Sequence, residues 1–140
     1  MKINIGSNEV VHFIGIGGIG MSGLAQIMNN MGFNIQGSDL NKNKNTERLI
    51  KSGIKVYFGH HKKNLNKATM IVISSAVKKN NGELIAARHK KLSIFNRGEM
   101  LANIVALKKK YCNYWFTRKN NNNIFSCKYF RRCWARSYNN

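Results

Sequence analysis

One stretch limits what this chain can fold into more than any other: Val10-Val11-His12-Phe13-Ile14-Gly15-Ile16-Gly17-Gly18-Ile19-Gly20-Met21-Ser22-Gly23. It opens as a short apolar run, turns through glycines and continues into a helical pattern. Gly15, Gly17 and Gly20 stand at G-x-G-x-x-G spacing. The physical reading is a buried parallel strand, a tight turn and a helix N-terminus. A turn without Cβ atoms lets backbone N–H groups approach a phosphate, and the first helical turn adds unpaired N–H groups and the positive end of its dipole. The third glycine allows the helix to pack closely on the strand. The motif alone is weak, so its context has to agree.

The context does agree. Ile19, Leu24, Ile27, Met28 and Met31 recur at helical spacing and predict one apolar helix face, stopped at Gly32. Phe33-Asn34-Ile35-Gln36-Gly37-Ser38-Asp39 then alternates like a second strand and ends in an acid. Asp39 falls about 20 residues beyond the glycines, where an acid can bond a ribose hydroxyl. A structural turn with a surface aspartate is the plainer alternative.

The rest of the chain continues the alternation. Met1–Glu9 is a polar lead-in, and 41–45 is a polar loop. Thr46–Lys51 reads as a short helix ended by Gly53, and Ile54–Phe58 as a third strand running into Gly59-His60-His61. Met70–Ile73 reads as a buried fourth strand followed by Ser74-Ser75-Ala76. Gly82–Lys91 is a helix with Leu84, Ile85 and Ala87 apolar, and Leu92–Phe95 a fifth strand. Arg97–Leu107 is a last helix with Met100, Leu101, Ile104, Val105 and Leu107 near its core face. The expected fold is therefore α/β: a Rossmann-like parallel sheet of about five strands with flanking helices.

Ligands of such sheets bind beyond the carboxyl ends of the strands. That rule brings Gly15–Met21, Asp39, His60 and Ser74–Ala76 to one edge, since each follows its own strand. Each also has a plainer use. His60 can be a solvated or capping residue, or it can touch a base or ribose. Ser74 and Ser75 can cap a helix or offer donors to a ligand. Arg97 can pair with Glu99 or reach a phosphate. A metal site is not expected, because no acid or cysteine stands near His60 and His61 at ligand spacing.

Charge needs separate treatment, because 24 Lys and Arg against 5 Asp and Glu leave a net charge of +19. Such an excess often signals nucleic acid. Up to position 110 the basic residues are scattered, apart from short runs such as Lys62-Lys63 and Lys108-Lys109-Lys110. The chain is crowded with Lys, Asn and Ile and has no Pro. An AT-rich genome produces that bias through codon usage, so nucleic acid is not the expected partner. No apolar run approaches the ~20 residues of a membrane span, and no signal peptide is evident. No membrane partner and a cytoplasmic location are expected.

The residues from His12 to Ala25 resemble the opening of the UDP-N-acetylmuramate–L-alanine ligases of the Mur ligase family. So do Gly37-Ser38-Asp39, Gly59-His60, Ser74-Ser75-Ala76 and Arg97-Gly98-Glu99-Met100-Leu101. The resemblance covers about residues 10–110. It implies a Rossmann-like domain that binds a UDP-sugar, UDP-N-acetylmuramate, in place of NAD. Gly15 would open the phosphate turn, and Gly17, Gly18, Ile19, Gly20, Met21 and Ser22 would hold the pyrophosphate. Asp39 and His60 would lie near ribose and uracil, with Ser74, Ser75, Ala76 and Arg97 flanking the UDP-sugar. The full-length family enzyme uses ATP and Mg2+ to form an acyl phosphate that alanine then attacks. No cofactor and no catalytic residue is expected in these 140 residues themselves. The rival expectations are an NAD(P)-binding Rossmann domain and a small basic nucleic-acid-binding protein.

The family follows the last helix with a strand and the ATP loop T-G-[ST]-H-G-K-T-T-T. This chain has Tyr114-Trp115-Phe116-Thr117-Arg118-Lys119-Asn120-Asn121-Asn122-Asn123 near that place. Codons for those residues, read one nucleotide later, can spell Thr-Gly-Ser-His-Gly-Lys-Thr-Thr-Thr, the glycine being forced by the single Trp codon. The expectation is a UDP-sugar-binding domain over 1–110 and a basic, poorly packed tail over 111–140. That tail would arise from out-of-frame translation after a slip at Lys108–Lys110. Cys112, Cys127 and Cys133 are the only cysteines and lie in it, so they carry no redox information.

Overall fold

The computed structural model describes residues 9–107, so Met1–Asn8 of the lead-in and the whole of 111–140 lie outside the described residues. One compact unit ends at Ala102, and the site belongs to it.

The elements are β1 (Val10–Ile14), α1 (Ile19–Asn30), β2 (Asn34–Asp39), α2 (Lys44–Lys51) and β3 (Lys55–Phe58). A 3-10 turn (Lys62–Leu65), β4 (Met70–Ile73), α3 (Gly82–His89) and β5 (Ser93–Asn96) follow. A helix over 97–107, α4, comes last. The strands form one five-stranded sheet in the order β3-β2-β1-β4-β5, and every pairing is parallel. The central strand β1 pairs Ile14 with Ser38 on one side and with Ile73 on the other. Strand order reverses at β1, so the crevice beside its carboxyl end is the place where such sheets hold ligands.

Local chemistry explains the elements. β1 is buried on both faces, with Val11, His12, Phe13 and Ile14 all at 0% exposure, as a central parallel strand must be. α2 starts two residues earlier than Thr46, because Asn43 caps it. The Asn43 carboxamide accepts from the Thr46 N–H at 2.9 Å, and the Thr46 hydroxyl accepts from the Asn43 N–H at 2.9 Å. On the α3 side of the sheet, Ile14, Leu65, Ile71, Leu84 and Ala87 form an apolar core.

Three expectations about helix faces need correction. α1 buries Met21, Ser22, Leu24, Ala25 and Met28. Ile19 is 89% exposed and Ile27 is also exposed. Periodicity selects a stripe of large apolar residues, whereas the sheet accepts the stripe that carries Ser22 and Ala25, which lets the helix come close. In α3, Ala86 and Ala87 are buried and Ile85 is exposed. In α4, Met100 is buried while Leu101 and Val105 are exposed.

Candidate functional site

The glycine loop is built by its neighbours. Gly15 has φ +78°, a backbone region that other residues enter at a cost. That turn lets the N–H groups of Gly15 and Ile16 both donate to the Ser38 carbonyl, at 2.8 and 3.0 Å. Gly17 is held on both sides. Gly17 N–H donates to Asp39 Oδ2 at 2.8 Å, and its carbonyl accepts from Asn45 Nδ2 at 2.9 Å and from Asn43 Nδ2 at 3.3 Å. A Cβ on Gly17 would stand 2.8 Å from both Asp39 Oδ2 and Asn43 Nδ2, so only glycine fits between β2 and α2.

Gly18 then caps α1 with extended backbone and no side-chain hydrogen bond, and the first turn carries no acid. The first intrahelical bond runs from Ser22 N–H to the Gly18 carbonyl, at 2.8 Å. The N–H groups of Ile19, Gly20 and Met21 precede it and point out of the helix end. Beside them opens a cleft of about 580 Å3. Three segments line it: Gly18–Met21 from the loop and α1, Ile73–Ser75 after β4, and Asn96–Gly98 after β5. The Arg97 guanidinium lies against Gly20 so closely that a Cβ there would collide with it. A helix N-terminus and a guanidinium thus face the same space, an arrangement suited to a doubly charged phosphate group. Asn96 and Glu99 bond reciprocally, each side chain accepting the other's N–H at 2.9 Å, which starts α4 and seats Arg97 at the rim.

Not every expected residue lines this cleft. Gly18, Ile19, Gly20, Met21, Ser74, Ser75 and Arg97 do. Gly15 and Gly17 shape the loop from behind, and Ser22 is buried with its hydroxyl donating to the Ile19 carbonyl. Ala76 lies past the rim, its N–H directed at Ser74 Oγ at 3.4 Å. Asp39 works as a brace: Oδ2 takes the Gly17 N–H and Oδ1 takes the Asn41 N–H at 3.1 Å.

His60 leads to a group that sequence reasoning missed. Its Nδ1 sits 3.0 Å from Glu83 Oε2 and 3.0 Å from Ser38 Oγ. Glu83 has 0% exposure. Its Oε2 also accepts from Ser38 Oγ at 2.5 Å, and its Oε1 accepts from Asn64 Nδ2 at 2.7 Å. His12 Nε2 lies 3.7 Å from Oε1, and Gln36 Nε2 donates to His12 Nδ1 and to the Asn64 carbonyl. Burial by itself raises the Glu83 pKa, but the His12, Ser38 and Asn64 groups that face the carboxyl outweigh it. The carboxyl is held below its usual value. The only local signal was an Asn-Gly-Glu start, in which an acid two residues past an Asn cap reads as an ordinary first-turn residue. Among the described residues no group of three or more His, Cys, Asp or Glu is placed to hold a metal ion. None of their helices is long and apolar enough to cross a membrane.

Comparison with known proteins agrees with this architecture. Residues 10–109 match the model of the Mur ligase family, catalytic domain. The chain is similar to the UDP-N-acetylmuramate–L-alanine ligase of Pelagibacter ubique, 63% identical over 109 residues, which are 78% of this chain and 24% of the relative. It is similar to the ligase of the same name from Brucella ovis, 50% identical over 78% of this chain and 22% of the relative. The chain thus spans about a quarter of the length of these relatives. Among solved structures, UDP-N-acetylmuramate-alanine ligase from Thermotoga maritima superposes with a TM-score of 0.68 at 31% identity, over 71% of this chain and 23% of that one. A Neisseria meningitides UDP-N-acetylmuramate:L-alanyl-gamma-D-glutamyl-meso-diaminopimelate ligase superposes with a TM-score of 0.60 at 32% identity, over 64% of this chain and 28% of that one. With a family model matched across most of its length, on the fold that this family's structures share, the chain belongs to the Mur ligase family.

Proposed function

We propose that residues 1–110 bind UDP-N-acetylmuramate, as the substrate-holding part of a ligase that joins L-alanine to it in peptidoglycan synthesis. The observation that carries this is the cleft in which Arg97 lies over the open first turn of α1. The pyrophosphate would lie on the N–H groups of Ile19–Met21 with Arg97 closing over it, and Ser74 and Ser75 would face the sugar. Asp39 would hold the loop and meet ribose through the lone pairs its two backbone contacts leave free. ATP and Mg2+ belong to the full-length enzyme, and a cytoplasmic location follows from a UDP-linked substrate. The 140 residues contain no G-K-T or G-K-S, hence no backbone cradle and lysine for ATP phosphates. Residues 111–140 are proposed to be the out-of-frame tail, and the match to the family model ends at 109, before it.

Calorimetric titration with UDP-N-acetylmuramate, NADH and a DNA oligonucleotide tests the proposal. Binding of the UDP-sugar alone is expected. Tighter binding of NADH, or salt-sensitive binding of DNA without UDP-sugar affinity, would overturn it. The nucleotide sequence across Lys108–Tyr111 tests the tail, which needs a usable shifted frame encoding the G-K-T loop.

A further inference from the structure

The buried carboxylate of Glu83 has no part in the phosphate cleft, yet five polar side chains converge on it or on its partners. They come from β1 (His12), β2 (Gln36, Ser38), the residues after β3 (His60) and the 3-10 turn (Asn64). A carboxylate can only accept, so each group facing it must donate. Ser38 gives its proton to Oε2. Nδ1 of His60, at 3.0 Å from both that oxygen and Ser38 Oγ, must then carry hydrogen. In a neutral imidazole this leaves Nε2, the nitrogen on the opposite side of the ring, as an acceptor. The His60 side chain is 15% exposed. Its Nδ1 edge is turned into the network, so Nε2 is the nitrogen left for a ligand.

The place of this nitrogen matters. His60 follows Gly59, whose N–H donates to the Asp39 carbonyl at 2.8 Å. It therefore sits just past the carboxyl ends of β2 and β3, next to the residue that braces the glycine loop. Ser38 joins the two systems: its hydroxyl serves Glu83 and its carbonyl holds the N–H groups of Gly15 and Ile16.

We propose that Glu83 is a positioning residue that locks His60 in the Nδ1–H tautomer, so that Nε2 accepts a hydrogen bond from an N–H or O–H of the nucleoside part of the bound UDP-sugar. The proposal rests on the UDP-sugar reading for its ligand, but not for its tautomer. His12 takes the complementary form: its Nδ1 accepts from Gln36, so its Nε2 carries the hydrogen that faces Glu83. His12 and His60 are the titratable groups facing Glu83, and Ser38 and Asn64 complete its surroundings.

The test combines nitrogen-15 NMR of the histidine rings in the free 140-residue protein with calorimetric titration by UDP-N-acetylmuramate. Wild type, Glu83→Gln, His60→Ala and the double variant are compared at neutral pH. His60 should be protonated on Nδ1 in wild type and shift toward Nε2–H in Glu83→Gln, whose amide can donate to the ring. Affinity should fall about tenfold in Glu83→Gln, the scale of one lost hydrogen bond, and no further when added to His60→Ala. An Nε2–H tautomer in wild type, or an equal loss of affinity with His60 already removed, overturns the inference. If Glu83→Gln does not fold, Asn64→Ala takes its place. It removes the Nδ2 bonds to Glu83 Oε1 and to the Gly59 carbonyl and leaves Oε2 to accept from His60, so the His60 tautomer should persist, and its loss overturns the inference. A wild-type protein that shows the Nδ1–H ring but binds no UDP-sugar overturns the functional reading instead, and with it the ligand role of Nε2.

Discussion

The two sides of β1 hold polar groups in opposite states. On the cleft side, the first turn of α1 ends in backbone N–H groups ahead of the first helical bond, with Arg97 over them and Ile19 standing exposed at the mouth. On the α3 side, Glu83, Ser38, His60, Asn64, Gln36 and His12 bond to one another, and Glu83 and His12 are fully buried. Donors for which no described residue supplies a partner offer binding energy to an anion. Donors already aimed at a buried carboxylate have spent that capacity on holding strands β1 and β2 to α3. The first region should therefore respond to substitution in affinity, and the second chiefly in stability.

Gly18→Asp is the strongest way to break that division. A Cβ at Gly18 meets nothing closer than 3.6 Å, and an acid at a helix N-terminus favours the helix. Folding should survive while a negative side chain fills the phosphate space, and calorimetry should detect no UDP-sugar binding. Retained affinity would move the pyrophosphate away from α1.

Glu83→Ala should act chiefly on stability, beside the roughly tenfold loss of affinity expected once His60 is unlocked. It leaves the facing donors of Ser38, Asn64 and His60 without an acceptor, at a cost of about 3–5 kcal/mol in urea unfolding. The pH dependence follows from the lowered carboxyl pKa. A carboxyl whose folded value lies below its unfolded value, near 4.5, adds stability that is present above 4.5 and is lost as pH falls through the folded value. Wild type should lose stability in that acid window, and Glu83→Gln should flatten the loss. An unchanged acid limb in Glu83→Gln would assign the effect to another of the 5 acids in the chain.

Arg97→Ala should weaken UDP-sugar binding by about 1.5–3 kcal/mol, the scale of hydrogen bonds to a charged group, with little change in melting temperature. If stability falls as much as affinity, Arg97 is a packing residue and the contrast between the two regions narrows. Asn43→Ala should give the smallest effect, about 1 kcal/mol of stability from the lost cap of α2. A small loss of UDP-sugar affinity should accompany it, because Asn43 also donates to the Gly17 carbonyl.

Much of the architecture could be read from the chain. Met70–Ile73 is a strand with the expected ends, β1 begins at Val10 as expected, and β2, β3 and β5 begin and end within about a residue of expectation. Short apolar runs and glycine stops are local signals, so the alternation of strand and helix needed nothing distant. The face each helix buries was less legible. Ile19 and Ile27 looked like core residues of α1, yet the sheet takes Ser22 and Ala25, because closeness of approach outweighs the size of a side chain. Asn43 was passed over because a cap depends on which residue begins the helix, and 41–45 is a uniformly polar stretch.

By itself, then, the sequence determined the glycine turn and the five strands in their order along the chain, which rest on spacing between near neighbours, and its motifs carried the resemblance to the family. Only the tertiary structure decided that the sheet runs β3-β2-β1-β4-β5, which puts the end of β5 beside the start of α1 and so lays Arg97 on Gly20. It also decided that Asp39 would brace Gly17, and that Glu83 would be drawn into the protein to meet Ser38 and His60. Those contacts join residues far apart in the chain. Such a pairing is chosen by which strands share an edge and what burial demands, and no stretch of neighbouring residues encodes it.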